Sequence, residues 1–147
     1  MEKPIKVAIA GHFNPAHIGH LLLIKSARAL GDSLTVIVAN DTQAKAKRPK
    51  IFMPVEERAC IIARLKDVDE VIISIDKDSS VKNTLQFVKP DIFASGCGED
   101  DKDAMEEAGV CHELGIKTVF KVGGDRINSS TEILNNYEKR PVRSVRK

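Results

Sequence analysis

The chain has 147 residues, enough for one domain whose core needs no disulfide or metal staple. A net charge of +2, no Trp and a single Tyr argue against a nucleic-acid binder built on charge or on base stacking. Three cysteines, Cys60, Cys97 and Cys111, are odd in number and lack C-x-x-C spacing, which argues against a disulfide framework or a zinc ribbon.

Residues 1–6 lead into an apolar run of only about five residues, too short for a signal peptide, and no run reaches the ~18 residues of a membrane span. The expectation is a cytoplasmic protein with no membrane partner. Residues 5–10 form a β-rich apolar run ending at Gly11, read as a strand buried on both faces. Leu21, Ile24, Ala27 and Leu30 then recur at helical spacing over residues 17–30, with Gly31 as the stop. Residues 34–39 read as a second buried strand, and residues 42–50 as a polar, basic loop. Pro54 opens a helix at the first helical position, with Glu56 and Glu57 in its first turn and Cys60, Ile61, Ala63 and Leu65 as its core face. A short strand follows at 70–74, then a helix capped by Ser79 or Ser80 that Pro90 ends. Residues 91–94 are a fourth strand, 101–114 a helix stopped by Gly115, and 117–121 a fifth strand. Gly123 and Gly124 loop out before a last helix that opens near Ser129-Ser130-Thr131. Residues 138–147 are a basic tail, read as a solvated terminus separate from a single domain over 1–137.

Strands separated by helices of about ten residues imply βαβ units. The fold class expected is α/β: a Rossmann-like, doubly wound five-stranded parallel sheet with helices on both faces. Such sheets bind ligands beyond the carboxyl ends of their strands, at the switch in strand order. The unusual residues fall at those ends.

The sharpest motif is Gly11-His12-Phe13-Asn14-Pro15-Ala16-His17-Ile18-Gly19-His20. His17 and His20, three apart at a helix start, project from one face beside the positive end of the helix dipole. Gly19 leaves room for a phosphate on that helix end. Two imidazole donors with oriented amides suit the charge that builds on a phosphorus under in-line attack.

The segment resembles the HxGH signature of the cytidylyltransferase-like nucleotidyltransferases. Other passages resemble the same family in the same order: Ala29-Leu30-Gly31-Asp32, then Lys45 to Lys50 with Pro54 and Arg58, then Val68-Asp69-Glu70-Val71. Lys89-Pro90-Asp91-Ile92 and the Ser129-Ser130-Thr131 helix start complete the set. The resemblance implies transfer of CMP or AMP from CTP or ATP to a phosphate-bearing small molecule, with release of pyrophosphate. It implies catalytic roles for His17, His20, Lys45 and Lys47. It implies nucleotide contacts by Gly11, His12, Phe13, Asn14, Gly19, Gly96, Ser129, Ser130 and Thr131, with Gly96 against the base. Mg²⁺ is expected to arrive with the NTP, with no metal ligand assigned in the chain, and a homodimer is open. Arg58 is assigned equally to bracing the fold, to a dimer contact or to ligand.

The passages divide over the substrates. The middle of the chain looks most like heptose-phosphate adenylyltransferases, whereas Asn128-Ser129-Ser130-Thr131 looks like archaeal FMN adenylyltransferases. The arginine-led stretch of glycerol-3-phosphate cytidylyltransferases is not matched, and His12 stands where many relatives carry Thr or Ser. CTP against ATP and the acceptor stay open. The rival from another class is a nucleotide-binding module of the same fold without turnover.

Overall fold

A computed structural model of the chain describes residues 3–47 and 51–124. In chain order its elements are β1 (Lys6–Gly11), α1 (Ile18–Arg28), β2 (Ser33–Val38), α2 (Asp41–Lys47) and α3 (Val55–Ala63). β3 (Glu70–Ile73), α4 (Lys82–Val88), β4 (Ile92–Ala94), α5 (Lys102–Leu114) and β5 (Lys117–Val119) follow. The strands form one sheet in the order β3-β2-β1-β4-β5, every pair parallel. The chain steps outward from β1 through β2 to β3, then returns to the other side of β1 for β4 and β5. The switch point therefore lies at the carboxyl ends of β1 and β4, where such sheets hold ligands.

Alternation along the strands feeds two cores. Val7 and Ile9 of β1, with Leu34, Val36 and Val38 of β2, face Ile24 and Ala27 of α1 and Ile62 of α3. Ala8, Ile37 and Phe93 face the other way, onto Leu85 and Val88 of α4 and Cys111 of α5. Helices thus cover both faces of the sheet, as the unbroken apolar runs of β1 and β2 require. The Rossmann-like α/β expectation holds.

Several local expectations shift. Residues 41–47 are helical, not loop: the Asn40 side chain accepts the Gln43 amide at 2.9 Å and Gln43 Oε1 accepts the Asn40 amide at 3.1 Å, a reciprocal cap. This short helix has no apolar stripe, so periodicity missed it. On α3 the buried residues are Val55, Arg58 and Ile62, while Cys60, Ile61 and Ala63 face out. Of the expected stripe only Leu65 packs against the core, and the buried Arg58 takes a position that an apolar stripe leaves out. Pro54 is the N-cap rather than the first helical residue. Neither Ser79 nor Ser80 caps α4; the Asp76 carboxylate does so from the preceding loop, accepting the Asn83 and Thr84 amides at 2.9 and 3.1 Å. β3 and β5 end at Ile73 and Val119, short of the expected 74 and 121. Ser129-Ser130-Thr131, their helix and the basic tail lie outside the described residues.

Gly31 has a different purpose from the one expected. The helix already closes at Ala29 in right-handed geometry. A Cβ on Gly31 would lie 2.7 Å from the Ile5 carbonyl oxygen and 2.8 Å from Val7 Cγ2. The glycine lets the turn into β2 pass against the start of β1, where Asp32 accepts the Ile5 amide at 2.6 Å. Gly31→Ala is expected to lower stability by about 1–3 kcal/mol through overpacking, read as a lower urea midpoint.

Candidate functional site

At the carboxyl end of β1 the chain turns through Gly11 to Asn14 and enters α1. Phe13 is buried with φ at 51°, and its ring fills the space beside Gly11, where a Cβ would stand 2.9 Å from Phe13 Cζ. The Phe13 ring supports His20, centroids 4.6 Å apart, and His20 in turn lies 3.8 Å from the His17 ring. His17 is the N-cap of α1. Its Nδ1 accepts the Gly19 amide at 3.1 Å, and His20 Nδ1 accepts the His17 amide at 3.2 Å. Both ring orientations are therefore tied to backbone. An Nδ1 that accepts assigns the neutral tautomer with its proton on Nε2. The sequence reading expected the opening amides of α1 for phosphate, but the imidazoles take two of those donors themselves.

Arg58 holds the surrounding segments together. Its guanidinium is fully buried and donates to the carbonyls of Met53 at 2.9 Å, His12 at 2.8 Å and Ala39 at 2.7 Å. It also pairs with Asp41 at 2.9 Å, and Asp41 accepts the Val55 amide. Of the three roles open for this residue, the geometry is that of a brace. Asn14 is buried too, and its Oδ1 accepts the Met53 amide at 2.9 Å. On the far side, Asn40 Nδ2 donates to the carbonyls of Ser74 and Asp76, and Gln43 Nε2 to those of Asp78 and Ser80. α2 is thus anchored at its start to the loop after β3.

These segments enclose a cavity of about 520 Å³ at the switch point. It brings together Gly11, His12, Phe13, Asn14, His17, Gly19, His20, Lys47 and Gly96, nine of the residues expected at the site. Lys45 is exposed on α2 and does not line it. Ser129, Ser130 and Thr131 lie outside the described residues. Gln43, Ser74, Ser79 and Ser95, and the acidic wall of Asp101, Asp103 and Glu107, line the cavity as well without belonging to any site motif legible in the sequence. Burial raises the Glu107 carboxyl to about 7, helped by the neighbouring charges of Asp103, Asp101 and Glu106. Cys111, by contrast, belongs to the core, where burial pushes its thiol up, while His112 points outward. Among the described residues no three His, Cys, Asp or Glu side chains converge as a metal site, and no helix is long and apolar enough to cross a membrane.

A family model described as cytidylyltransferase-like matches residues 8–137. The chain belongs to the cytidylyltransferase-like family. It is 33% identical over 136 residues to the FAD synthase of Aciduliprofundum boonei, covering 88% of each protein. It is 32% identical over 133 residues to the FAD synthase of Picrophilus torridus, covering 88% of this chain and 93% of that one. Among solved structures, the lipopolysaccharide core biosynthesis protein of Thermoplasma volcanium superposes with a TM-score of 0.66 at 34% identity, over 80% of this chain and 94% of that one. A bifunctional NMN adenylyltransferase/ADP ribose pyrophosphatase of Francisella tularensis shares the fold, with a TM-score of 0.66 at 13% identity over 92% of this chain and 42% of that one. This cytidylyltransferase-like chain is a nucleotidyltransferase: it transfers a nucleotide monophosphate from an NTP to a phosphate-bearing acceptor and releases pyrophosphate.

Two measurements probe the site's framework. Arg58→Lys keeps the charge but loses the planar fork that serves three carbonyls, and is expected to cost about 2–4 kcal/mol in urea unfolding. Glu107 has a folded-state pKa above its unfolded one, so its contribution is full below about pH 4.5 and lost as pH rises through about 7. Wild-type stability should fall relative to Glu107→Gln by about 3 kcal/mol over that window, seen as diverging melting temperatures.

Proposed function

We propose that the chain adenylylates FMN, transferring AMP from ATP to give FAD and pyrophosphate. The observation that carries this reading is the pair of backbone-locked imidazoles, His17 and His20, at the opening of α1 inside the switch-point cavity. Similarity over 88% of the chain to each of two FAD synthases supports ATP as donor and FMN as acceptor. One further observation favours a second acceptor, a precursor in lipopolysaccharide core synthesis: the 34% identity to the Thermoplasma volcanium protein.

In this reading a phosphate oxygen of FMN attacks the α-phosphorus of ATP in line. The bond from that phosphorus to the α,β-bridging oxygen breaks, and pyrophosphate leaves with the electron pair. The acceptor is already a nucleophile, so no covalent enzyme intermediate is needed, and catalysis reduces to positioning and charge stabilisation. His17 and His20 direct their Nε2 protons at the non-bridging α-phosphate oxygens, where negative charge grows. Lys47 neutralises the β- and γ-phosphates or the acceptor phosphate from the end of α2. Lys45, outside the cavity lining, contributes long-range charge only. His12 donates toward phosphate in place of the hydroxyl of its relatives, and Gly96 lets the base lie against backbone. Ser129, Ser130 and Thr131 supply hydroxyls and amides to the departing pyrophosphate. Mg²⁺ would be carried in on the triphosphate. When bound there it offsets phosphate charge.

The test is pyrophosphate release and FAD formation, with ATP or CTP crossed against FMN and sugar phosphates. With ATP and FMN, His17→Ala is expected to lower kcat by about 10²–10³ with little change in KM for ATP. A loss confined to KM would remove His17 from transition-state stabilisation. Turnover with a sugar phosphate and none with FMN would replace the acceptor.

A further inference from the structure

We propose that Glu107 hydrogen-bonds the polar edge of a flat heterocycle held at the α5 end of the cavity, making it a further ligand-binding residue of the transfer reaction. The inference rests on the reading of this cavity as the joint site of NTP and acceptor.

Asp101, Ala104 and Glu107 stand at successive three-residue steps and present one face of α5 to the cavity. Asp101 is committed to capping the helix through the Ala104 amide at 2.9 Å. Glu107 has no hydrogen-bond or ion-pair partner among the described residues; only desolvation and neighbouring charges act on it. A desolvated carboxyl without a partner is costly, and a ligand that supplies one recovers that cost. The surroundings specify what kind of ligand. Gly96 and Gly124 stand with Asp101 at the start of α5 and project no side chain, so a flat ring can lie against backbone there. Phosphates are directed elsewhere: the cavity's histidines and Lys47 stand after β1 and β2, while Asp101, Asp103 and Glu107 form an acidic wall. A nucleotide spanning the cavity keeps its phosphates by the histidines and brings its uncharged ring to α5.

A protonated carboxyl offers one donor beside one acceptor. That pair matches the amino group and ring nitrogen of adenine, and equally the imide N–H and carbonyl of a flavin. Both substrates of the proposed reaction carry such an edge, and the neutral acid is available near pH 7 because burial raises it there. The groups that tune it on α5 are Asp101, Asp103 and Glu106. His12, His17, His20, Lys47 and Cys97 line the same cavity. On the packed elements, Lys82 of α4 pairs with Glu113 at 3.9 Å, and Lys117 of β5 and Lys121 beyond it are exposed.

Calorimetric titration of the full chain with ATP, FMN and tripolyphosphate, at pH 6 and pH 8, tests this with the wild type, Glu107→Ala and Glu107→Gln. At pH 6, Glu107→Ala is expected to weaken either ATP or FMN about tenfold and leave tripolyphosphate unchanged, and the ligand that responds identifies the ring. Wild-type affinity for that ligand should fall about tenfold from pH 6 to pH 8 beyond any change in Glu107→Gln, which keeps a donor and an acceptor without titrating. Glu107→Ala that binds ATP and FMN as the wild type does, or that weakens tripolyphosphate in step with them, overturns the proposal. If Glu107→Ala loses its cooperative melt, the pH comparison decides, and a Glu107→Gln slope equal to the wild type's overturns it. A wild type that binds neither ATP nor FMN overturns the functional reading as well, whereas the other failures remove Glu107 alone.

Discussion

The buried guanidinium of Arg58 is the constraint on which the rest of the site depends. The strands β1 and β2 end where the ligand cavity begins, so the carbonyls just past them lose their ladder partners. Buried carbonyls need donors, and Arg58 supplies them to His12 and Ala39 while also holding Met53. The ion pair with Asp41 is the lesser part of this. Asp41 is about a third exposed, and such pairs contribute about 0–1 kcal/mol. Each hydrogen bond from a charged group to a buried carbonyl contributes about 1.5–3 kcal/mol, and there are three of them. The effect is geometric as well as energetic. One planar group fixes the segment after β1, the corner after β2 and the approach to α3 relative to one another.

From that brace outward, polar side chains rather than apolar packing fix the cavity walls. Asn14 is tied to Met53, Asn40 to the loop after β3, and Gln43 to the same loop two residues further on. Each is a short amide side chain bonded to backbone on a different element, which sets distances more tightly than side-chain packing does. The cavity that results is electrically uneven. Imidazoles and Lys47 occupy the β1 and β2 side, and carboxyls occupy the α5 side. Under the proposed reading this asymmetry would draw phosphates to the first side and leave the second to uncharged rings.

The sequence displayed the sheet and the histidine corner plainly because both leave local signals. β1 and β2 are unbroken apolar runs, and HxGH follows the first of them directly. What it hid was non-local. Arg58 leaves brace, dimer contact and ligand equally open in the sequence, since nothing in its neighbours says that three carbonyls from distant segments converge on it. A core face drawn from apolar residues alone leaves that position of α3 out. α2 was hidden for a related reason: its cap joins Asn40 to Gln43, and its burial comes from the loop after β3 rather than from an apolar stripe. Glu107 sits among Asp100, Asp101, Asp103 and Glu106, a run that reads as solvated surface. Its desolvation is a product of α5 packing beside the cavity, which no window of sequence contains.

The histidine corner and Lys47 bring two kinds of donor to one cavity, neutral imidazoles and an ammonium group. His17 and His20 each spend Nδ1 on a backbone amide, and His20 rests on the buried Phe13 ring while His17 packs on His20, so both ring orientations are set without substrate. Donors fixed in this way need no reorganisation as charge develops, which is where electrostatic catalysis gains most. Lys47 differs on every count: it is exposed, on a long flexible stem, at the end of a short helix anchored mainly at its start. Under the proposed transfer, such a group would suit charge that arrives and leaves with substrate. The division follows from the anchoring itself, with the imidazoles tied to backbone at the start of α1 and Lys47 at the far end of α2.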